Sequence, residues 1–465
     1  MKQTSRLTRM TAGERRAAMS LASIFALRML GLFMILPIFA LYVDDLHGAT
    51  PALAGLALGA YGLTQGLLQI PFGLLSDRFG RKPIILVGLV LFALGSILAA
   101  TSDSIWGIII GRAVQGSGAI AAAVMALTAD LTREEHRTKA MAVIGMSIGL
   151  SFAVAMVVGP VLDGWIGLSG MFWLTAVLAV AGMLVLWRAV PTPLHSRRHR
   201  DAQAVPAQFA EVLADGQLLR LNLGIFILHL ILTASFVAVP LVLAREVGLT
   251  SEHHWWIYLP VLVLSVAVMV PFIILAERRR MMKRVFLGAI ATVGLAQLGM
   301  AEFHGHLWGM ALLLFAFFAG FNLLEASLPS LVSKVAPAES KGTAMGVYSS
   351  GQFLGAFVGG AAGGLLLQYG GYTGVFLLSA GVALVWLLVA GSMREPRYLA
   401  SYLLNVGTVD LQQARRLAMD LTRVRGVAEA VVIAEDGVAY LKVDHHALDE
   451  AALATYASAE PGTAN

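Results

Sequence analysis

Several polar side chains interrupt segments that are otherwise long and apolar. Asn322 and Glu325 are three residues apart, so on a helix they would project from one face. Glu325 is the only carboxylate well inside an apolar segment of the second half of the chain. A carboxyl group in a low dielectric can exchange a proton near neutral pH. Glu325 is therefore the first candidate for proton coupling, and a fixed ion pair or interhelical hydrogen bond is the alternative.

Other polar groups at the same depth are candidates for a central cavity. His229 could titrate, although a lone buried histidine is more often structural. Arg112 and Gln115 also share a helix face. An arginine at the centre of a membrane span costs at least about 2.5–3.5 kcal/mol, so Arg112 is expected to face a cavity or a partner, with snorkelling from the start of its segment as the alternative. The remaining candidates for the cavity are Arg28, Tyr61, Gln65 and Gln352.

The composition indicates that lipid is the main solvent of the chain. Of its 465 residues 58% are hydrophobic and only 13% are charged, with a mean hydropathy of +0.77, whereas soluble domains carry about 25% charged residues. Cysteine is absent, which excludes disulfides and thiolate metal sites. The net charge of +5 could suggest a nucleic-acid partner, but its distribution argues against one. We expect no metal, no cofactor and no nucleic acid.

Twelve apolar segments are long enough to cross a bilayer, which takes about 20 residues. No cleavable signal peptide is evident, because the first 17 residues are basic and the apolar segment after them has full spanning length. The predicted spans are 18–42, 52–75, 83–101, 104–130, 139–162, 168–189, 219–245, 255–276, 284–302, 307–333, 342–368 and 373–393.

The charge distribution predicts the orientation of these spans. Most of the 33 Lys and Arg residues fall in the N-terminus, the even-numbered loops, the central linker and the segments after the last span. Both termini are therefore expected to be cytoplasmic. The opposite loops carry Asp44, Asp45, Asp103 and Asp163.

An internal repeat divides the chain into two halves. Pro71-Phe72-x4-Asp77-Arg78 recurs 200 residues later as Pro271-Phe272-x4-Glu277-Arg278. We therefore expect a six-helix half at residues 1–189, a cytoplasmic linker at 190–218 and a second six-helix half at 219–397. Thr11 and Glu14 could form a capping box that starts a short surface helix, or they could belong to a plain basic tail.

The loop after the second span concentrates charge where the backbone must turn at a membrane surface. Two glycines permit close turns, and a carboxylate here is favoured by the positive end of a helix dipole. The alternative reading is that the cations only anchor the loop inside. The residues of this loop motif are Gly73, Asp77, Arg78, Gly80, Arg81 and Lys82.

This loop motif resembles the signature of the major facilitator superfamily of secondary transporters. Arg112-x-x-Gln115-Gly-x-Gly-Ala resembles the fourth-span motif of the same family, and the chain as a whole resembles its YajR-type drug/proton antiporters. The resemblance implies that Asp77 docks against span eleven. It also implies that Asp77 joins a cluster with Arg81 and Asp130, which latches the cytoplasmic side shut.

Two glycine patterns complete the comparison with that family. Glycines every fourth residue from Gly351 to Gly363 are predicted to line a tightly packed face of span eleven. Gly145 and Gly159 are expected to do the same in span five. Gly159-Pro160-x-x-Asp163-Gly partly resembles the antiporter motif, in which a glycine normally stands where Asp163 does. That departure weakens the antiporter assignment without removing it.

The last segment, 398–465, predicts a small α+β domain. A strand near 403–409, a helix capped by Asp410, two strands around 431–434 and 438–443, and a short helix near 449–457 give β-α-β-β-α, a ferredoxin-like order that lacks an obvious final strand. We expect this domain to be cytoplasmic and to bind an unidentified ligand or partner. His445 and His446 are expected to be solvated loop residues.

The sequence thus predicts an all-α membrane protein with the major facilitator fold, twelve transmembrane helices in two six-helix halves, and an α+β tail. The resemblance implies a monomer in the inner membrane that exports small molecules in exchange for protons by alternating access. A proton-coupled nutrient symporter would share this architecture, and a membrane sensor is a further alternative. An enzyme is disfavoured, because no nucleophile–base pair, nucleotide loop or metal cluster occurs in the sequence.

Overall fold

The computed structural model describes residues 10–192, 205–337, 340–395, 400–407, 409–434, 437–444 and 447–457. His445 and His446 lie outside these residues. The described chain forms a bundle of long helices followed by a three-stranded sheet with two helices. The bundle helices are α1 Ala12–Met34, α2 Pro51–Phe79, α3 Arg81–Ala100, α4 Ile105–Ser117, α5 Ala121–Asp130, α6 Glu134–Arg188, α7 Phe209–Ala214, α8 Gly216–Leu241, α9 Trp255–Arg278, α10 Met282–Phe303, α11 Leu307–Val335 and α12 Lys341–Gly391.

Within the described residues, ten helical segments are long and apolar enough to cross a membrane, with α4 and α5 counted together. Two of the ten are longer than one crossing needs. α6 has 55 residues and contains the non-helical Gly167 at φ 60°, and α12 has 51 residues and contains Gly371 at φ 63°. At 1.5 Å per residue, a straight helix of either length would be more than twice as long as a bilayer core of about 30 Å is thick.

The first helix begins earlier than the apolar pattern predicts. The Thr11 hydroxyl accepts from the Glu14 amide, and the Glu14 carboxylate accepts from the Thr11 amide at 2.7 Å. The predicted capping box is therefore present. The helix that it starts is α1 itself, not a separate surface helix, because no break separates the basic first turns from the apolar ones.

The helix bundle has two opposite ends. The motif face is the side at which α2 ends and α3 begins, where Gly80 and Arg81 lie. The far face is the opposite side, where two short 3-10 helices, Phe39–Asp45 and Ser251–His253, join the long ones.

α12 lies between α8 and α2, and glycines on two of its faces make both contacts close. A Cβ added at Gly355 or Gly359 would come within 2.1–2.2 Å of a carbonyl oxygen of α8, and one at Gly360 within 2.5 Å of the Gly55 carbonyl of α2. The predicted glycine stripe is confirmed as a packing face. Gly159 likewise meets the Met34 carbonyl at 2.6 Å, but Gly145 has open space around it, so the prediction for Gly145 is wrong. Gly145 lines a cavity instead.

The tail has the predicted order β-α-β-β-α. The elements are β1 Ala400–Asn405, α13 Leu411–Arg423, β2 Val427–Ile433, β3 Val438–Val443 and α14 Glu450–Ala454. Asp410 caps α13 through a capping box with Gln413. The sheet is antiparallel with β3 in its centre, so the strand order is β1-β3-β2.

A buried lysine joins the tail to the bundle. Lys442 of β3 is 3% exposed, and its ammonium donates to the Lys334 and Ala336 carbonyls at the end of α11. The last carbonyls of a helix have no intrahelical donors and carry partial negative charge, so an ammonium is a suitable cap. Arg280, which follows α9, lies 3.5 Å from Asp444 of the tail. Together these contacts dock the tail on the motif face.

Candidate functional site

A cavity of about 680 Å³ lies between helices of the first half, α1, α2 and α4–α6, and helices α8, α11 and α12 of the second half. Its wall is mostly apolar, and it extends to the motif face, where Asp77 of α2 and Lys341 at the start of α12 both line it. Four of the predicted cavity residues line it, one of them an arginine. These residues are Tyr61, Arg112, His229 and Gln352.

A carboxylate, an amide and an imidazole meet beside this cavity on three different helices. Gln352 of α12 donates to Glu325 Oε1 of α11 at 3.2 Å and lies 2.8 Å from His229 Nε2 of α8. His229 Nδ1 lies 3.3 Å from the Ile225 carbonyl. With a proton on Nδ1, Nε2 is left as the acceptor for Gln352, so the arrangement suits a neutral imidazole.

The second carboxylate oxygen of Glu325 provides a place for a proton. Glu325 Oε2 is buried, has no hydrogen-bond partner among the described residues and lies 3.9 Å from His229 Nε2. A buried carboxylate oxygen without a donor is costly, and a proton on it would remove the charge. We call Glu325, His229 and Gln352 the proton cluster.

Asn322 does not join this cluster, although it shares a helix face with Glu325. Its amide donates to Ser265 Oγ of α9 at 2.8 Å. Asn322 therefore connects α11 to α9, while Glu325 points to α8 and α12. The sequence pattern could not separate the two roles, because the spacing of three residues indicates a common face and not a common partner.

Two buried arginines lie in the first half of the bundle. Arg28 is fully buried and donates to Gln65 Oε1 at 2.7 Å and to the Gly118 carbonyl at 2.8 Å. Arg112 donates to Gln115 Oε1 at 3.1 Å. Both guanidinium groups lie over the Tyr61 ring, at 5.7 and 5.3 Å from its centroid, where a cation is attracted to the π electrons.

Further hydrogen bonds connect these polar side chains, and most of them lie behind the residues that line the cavity. Gln65 donates to Gln69, and Gln115 donates to Ser96 Oγ at 2.7 Å. Arg28, Gln65 and Gln115 are not among the residues that line the cavity. Gln69, which the sequence analysis did not single out, does line it. Its position four residues after Gln65 was the available signal.

The loop motif forms a charge network within the first half of the bundle. Arg81 donates to Asp77 and, through Nε, to Asp130 Oδ2 of α5 at 3.3 Å. Lys82 donates to the Val190 carbonyl after α6 at 2.8 Å. The guanidinium of Arg78 lies over the Phe79 ring. The structure thus brings Asp77, Arg81 and Asp130 together.

The two glycines of the loop motif have different roles. Gly80 has φ 94° and joins α2 to α3, a conformation that favours glycine. Gly73 lies inside α2, and a Cβ there would be 3.0 Å from the Ala122 side chain. Gly73 therefore permits close packing against α5 and does not form part of the turn. Asp77 contacts Arg81 and faces the cavity, across from the first turn of α12.

The chain is similar to known transporters over most of its length. The family model described as Major Facilitator Superfamily matches residues 21–282 and 221–401. Inner membrane transport protein YajR of Escherichia coli (strain K12) is 48% identical over 437 residues, which cover 94% of this chain and 96% of that protein. Multidrug resistance protein MdtH of Aeromonas hydrophila is 29% identical and covers 79% of this chain and 93% of that protein.

A solved structure shares the fold. A bacterial homologue of the human lysosomal transporter Spinster, in an inward-facing and occupied conformation, superposes with a TM-score of 0.66 over 82% of this chain and 97% of that chain. The two sequences are 13% identical, so this likeness concerns the fold alone.

Proposed function

The chain belongs to the major facilitator superfamily, and we propose that it is a proton-coupled exporter of small molecules that works by alternating access. Membership confirms the resemblance inferred from the loop motif. It also confirms that the protein is a transporter and not an enzyme. The protein is a multi-pass protein of the inner membrane.

The proposed topology has twelve crossings, with the motif face in the cytoplasm. α6 and α12 each contribute two crossings, which meet at Gly167 and Gly371. An even number of crossings puts both termini on one side, and the cationic motif face supports the cytoplasm as that side. In the proposed orientation the cavity opens to the cytoplasm, which corresponds to an inward-open state, and we propose that the protein works as a monomer.

The proton cluster carries the coupling part of the proposal. Glu325, His229 and Gln352 come from three helices, and Glu325 Oε2, which has no hydrogen-bond partner among the described residues, is positioned to hold a proton. A proton there would remove the charge of the carboxylate, whereas its loss leaves a carboxylate within 3.9 Å of an imidazole. The protonation state therefore changes the contacts that α12 makes with α8 and α11.

The apolar cavity supports small, largely apolar molecules as substrates. Leu, Ile and Ala side chains form much of its wall, together with aromatic rings and methionines such as Phe25, Met29, Phe33, Met345 and Phe353. The methionines adapt to ligands of different shape. The similarity to a protein named for multidrug resistance supports export over nutrient import.

The charge network on the motif face supports a gate. In the inward-open state Asp77 and the N-terminus of α12 lie on the wall of one cavity. Closure of this face would bring Asp77 to that helix terminus, where the dipole favours a carboxylate. The tail, for which we propose a ferredoxin-like fold and an unidentified cytoplasmic ligand, docks on the same face.

The test uses inside-out membrane vesicles that are acidified inside. Lipophilic dyes are screened for accumulation in the vesicles, with proton release followed by a pH-sensitive dye. A proton-coupled exporter accumulates the dye inside the vesicles as protons leave them. A proton symporter instead carries the dye out of the vesicles together with the protons. Glu325→Gln should bring accumulation down to the level without a gradient. Glu302→Gln, a change of an exposed carboxylate on α10, is the matched control.

Two outcomes would contradict the proposal. If Glu325→Gln accumulates substrate at the rate of the unmutated protein, the proton cluster does not couple. If a dye binds but no counterflow occurs in any orientation, the protein is a sensor and not an exporter.

A further inference from the structure

Asp163 is a carboxylate buried at the far face. It lies in α6 just before the break at Gly167, is only 6% exposed and accepts a hydrogen bond from the Tyr42 hydroxyl at 2.6 Å. The Ser251 side chain lies beside the same carboxylate. Burying a charged group is costly unless donors replace the water that it loses. Asp163 therefore depends on the hydroxyl groups around it.

The two hydroxyl groups come from opposite halves of the bundle. Tyr42 belongs to the 3-10 helix after α1, so it stays with Asp163 in the first half. Ser251 begins the 3-10 helix before α9 and belongs to the second half. The next residues are also close, since a Cβ at Gly164 would lie 3.3 Å from Glu252 Oε2. The family's usual glycine at position 163 would offer no acceptor here.

A second polar contact joins the halves at this face but is exposed. Arg245 after α8 donates to Asp44 at 2.6 Å, with side chains that are 50% and 75% exposed. Exposed ion pairs contribute little because water and salt screen them. Separation of the halves should therefore cost more free energy at the buried Asp163 carboxylate than at the exposed Arg245–Asp44 pair.

We propose that Asp163 is the latch of the far face. The Tyr42 hydroxyl orients the Asp163 carboxylate toward the second half of the bundle. Ser251 of that half meets the carboxylate when the cavity is open to the motif face. Opening the far face withdraws Ser251 and exposes the carboxylate to water. The proposal rests on alternating access but on neither efflux nor proton coupling, and its test needs neither a substrate nor a gradient.

The test measures which face the cavity is open to. The chain has no cysteine, so Leu36→Cys, in the cavity wall, serves as a single reporter. Its rate of labelling by a membrane-impermeant maleimide is measured from outside intact spheroplasts and, separately, in inside-out vesicles. Asp163→Ala and Ser251→Ala should each raise labelling from outside about tenfold, as expected when a hydroxyl group no longer meets a charged acceptor across the seam, and lower it in inside-out vesicles.

Matched variants decide between a latch and a loosened fold. Tyr42→Phe should shift both rates in the same directions as Asp163→Ala, because it removes only the hydroxyl. Asp44→Asn, which breaks the exposed pair, should change either rate less than about twofold. Unchanged labelling in Asp163→Ala and Ser251→Ala would overturn the proposal. Labelling that rises from both sides would overturn it as well, since it would indicate general loosening.

Discussion

The buried ion pair on the motif face allows a prediction that separates a charge network from simple loop anchoring. The Arg81 side chain is 2% exposed and that of Asp130 is fully buried. Removing one partner of a buried pair leaves a charge that water cannot reach, which costs about 3–5 kcal/mol. Arg81→Met should therefore destabilise the protein by up to about this amount, and Asp130→Asn by less, because Arg81 keeps its bond to Asp77.

The double variant should be far more stable than the sum of these costs predicts. With both charges removed, neither is left buried opposite a neutral partner, and the remaining cost includes the loss of the Arg81 bonds to Ser76 Oγ, at 2.8 Å, and to Asp77. Asp77 is 17% exposed and keeps part of its hydration. We expect a residual cost of about 1–3 kcal/mol.

The assay is the midpoint of thermal unfolding of the purified protein in detergent. The expected order is unmutated protein, then the double variant, then Arg81→Met. Arg279→Met, a change at an exposed arginine after α9, should leave the midpoint nearly unchanged, since surface substitutions usually stay within about 0.5 kcal/mol. If the double variant unfolds below both single variants, as additive costs require, Arg81 and Asp130 do not form a coupled pair.

Two further predictions concern the packing of α12 and the docking of the tail. Gly359→Ala places a Cβ about 2.2 Å from a carbonyl of α8, so it should lower the thermal midpoint and slow transport, whereas Gly381→Ala, which has open space, should do neither. Lys442→Met should leave the tail folded but undocked. A maleimide cross-link between Arg280→Cys and Asp444→Cys would then form more slowly, and an unchanged rate would show that Lys442 does not hold the tail.

The elements of this fold were predictable because their signals are local. Length and apolarity predict helices that cross a bilayer, and Asp410 with the following apolar spacing predicts α13. Helix ends were less accurate. α1 starts at Ala12 because Thr11 and Glu14 cap it, while the apolar pattern alone places the start later.

Partners across long sequence distances were not predictable. The Gly118 carbonyl accepts from Arg28, 90 residues away, and the Lys334 carbonyl accepts from Lys442. A backbone carbonyl has no residue type that a sequence pattern could reveal. Asp163 was visible as an acidic loop residue and as a departure from a family motif, whereas its neighbours became apparent only when the halves were placed together.

α12 connects the proposed proton site to the proposed gate without a long pathway. Gln352 belongs to the proton cluster, and Lys341, eleven residues earlier on the same helix, lines the cavity mouth opposite Asp77. At 1.5 Å per residue the two ends are about 16 Å apart. Glycine packing holds this helix against α8 and α2. A change of protonation at Glu325 therefore alters the contacts of the helix whose first turn the gate must meet, and coupling needs only that this helix has two positions.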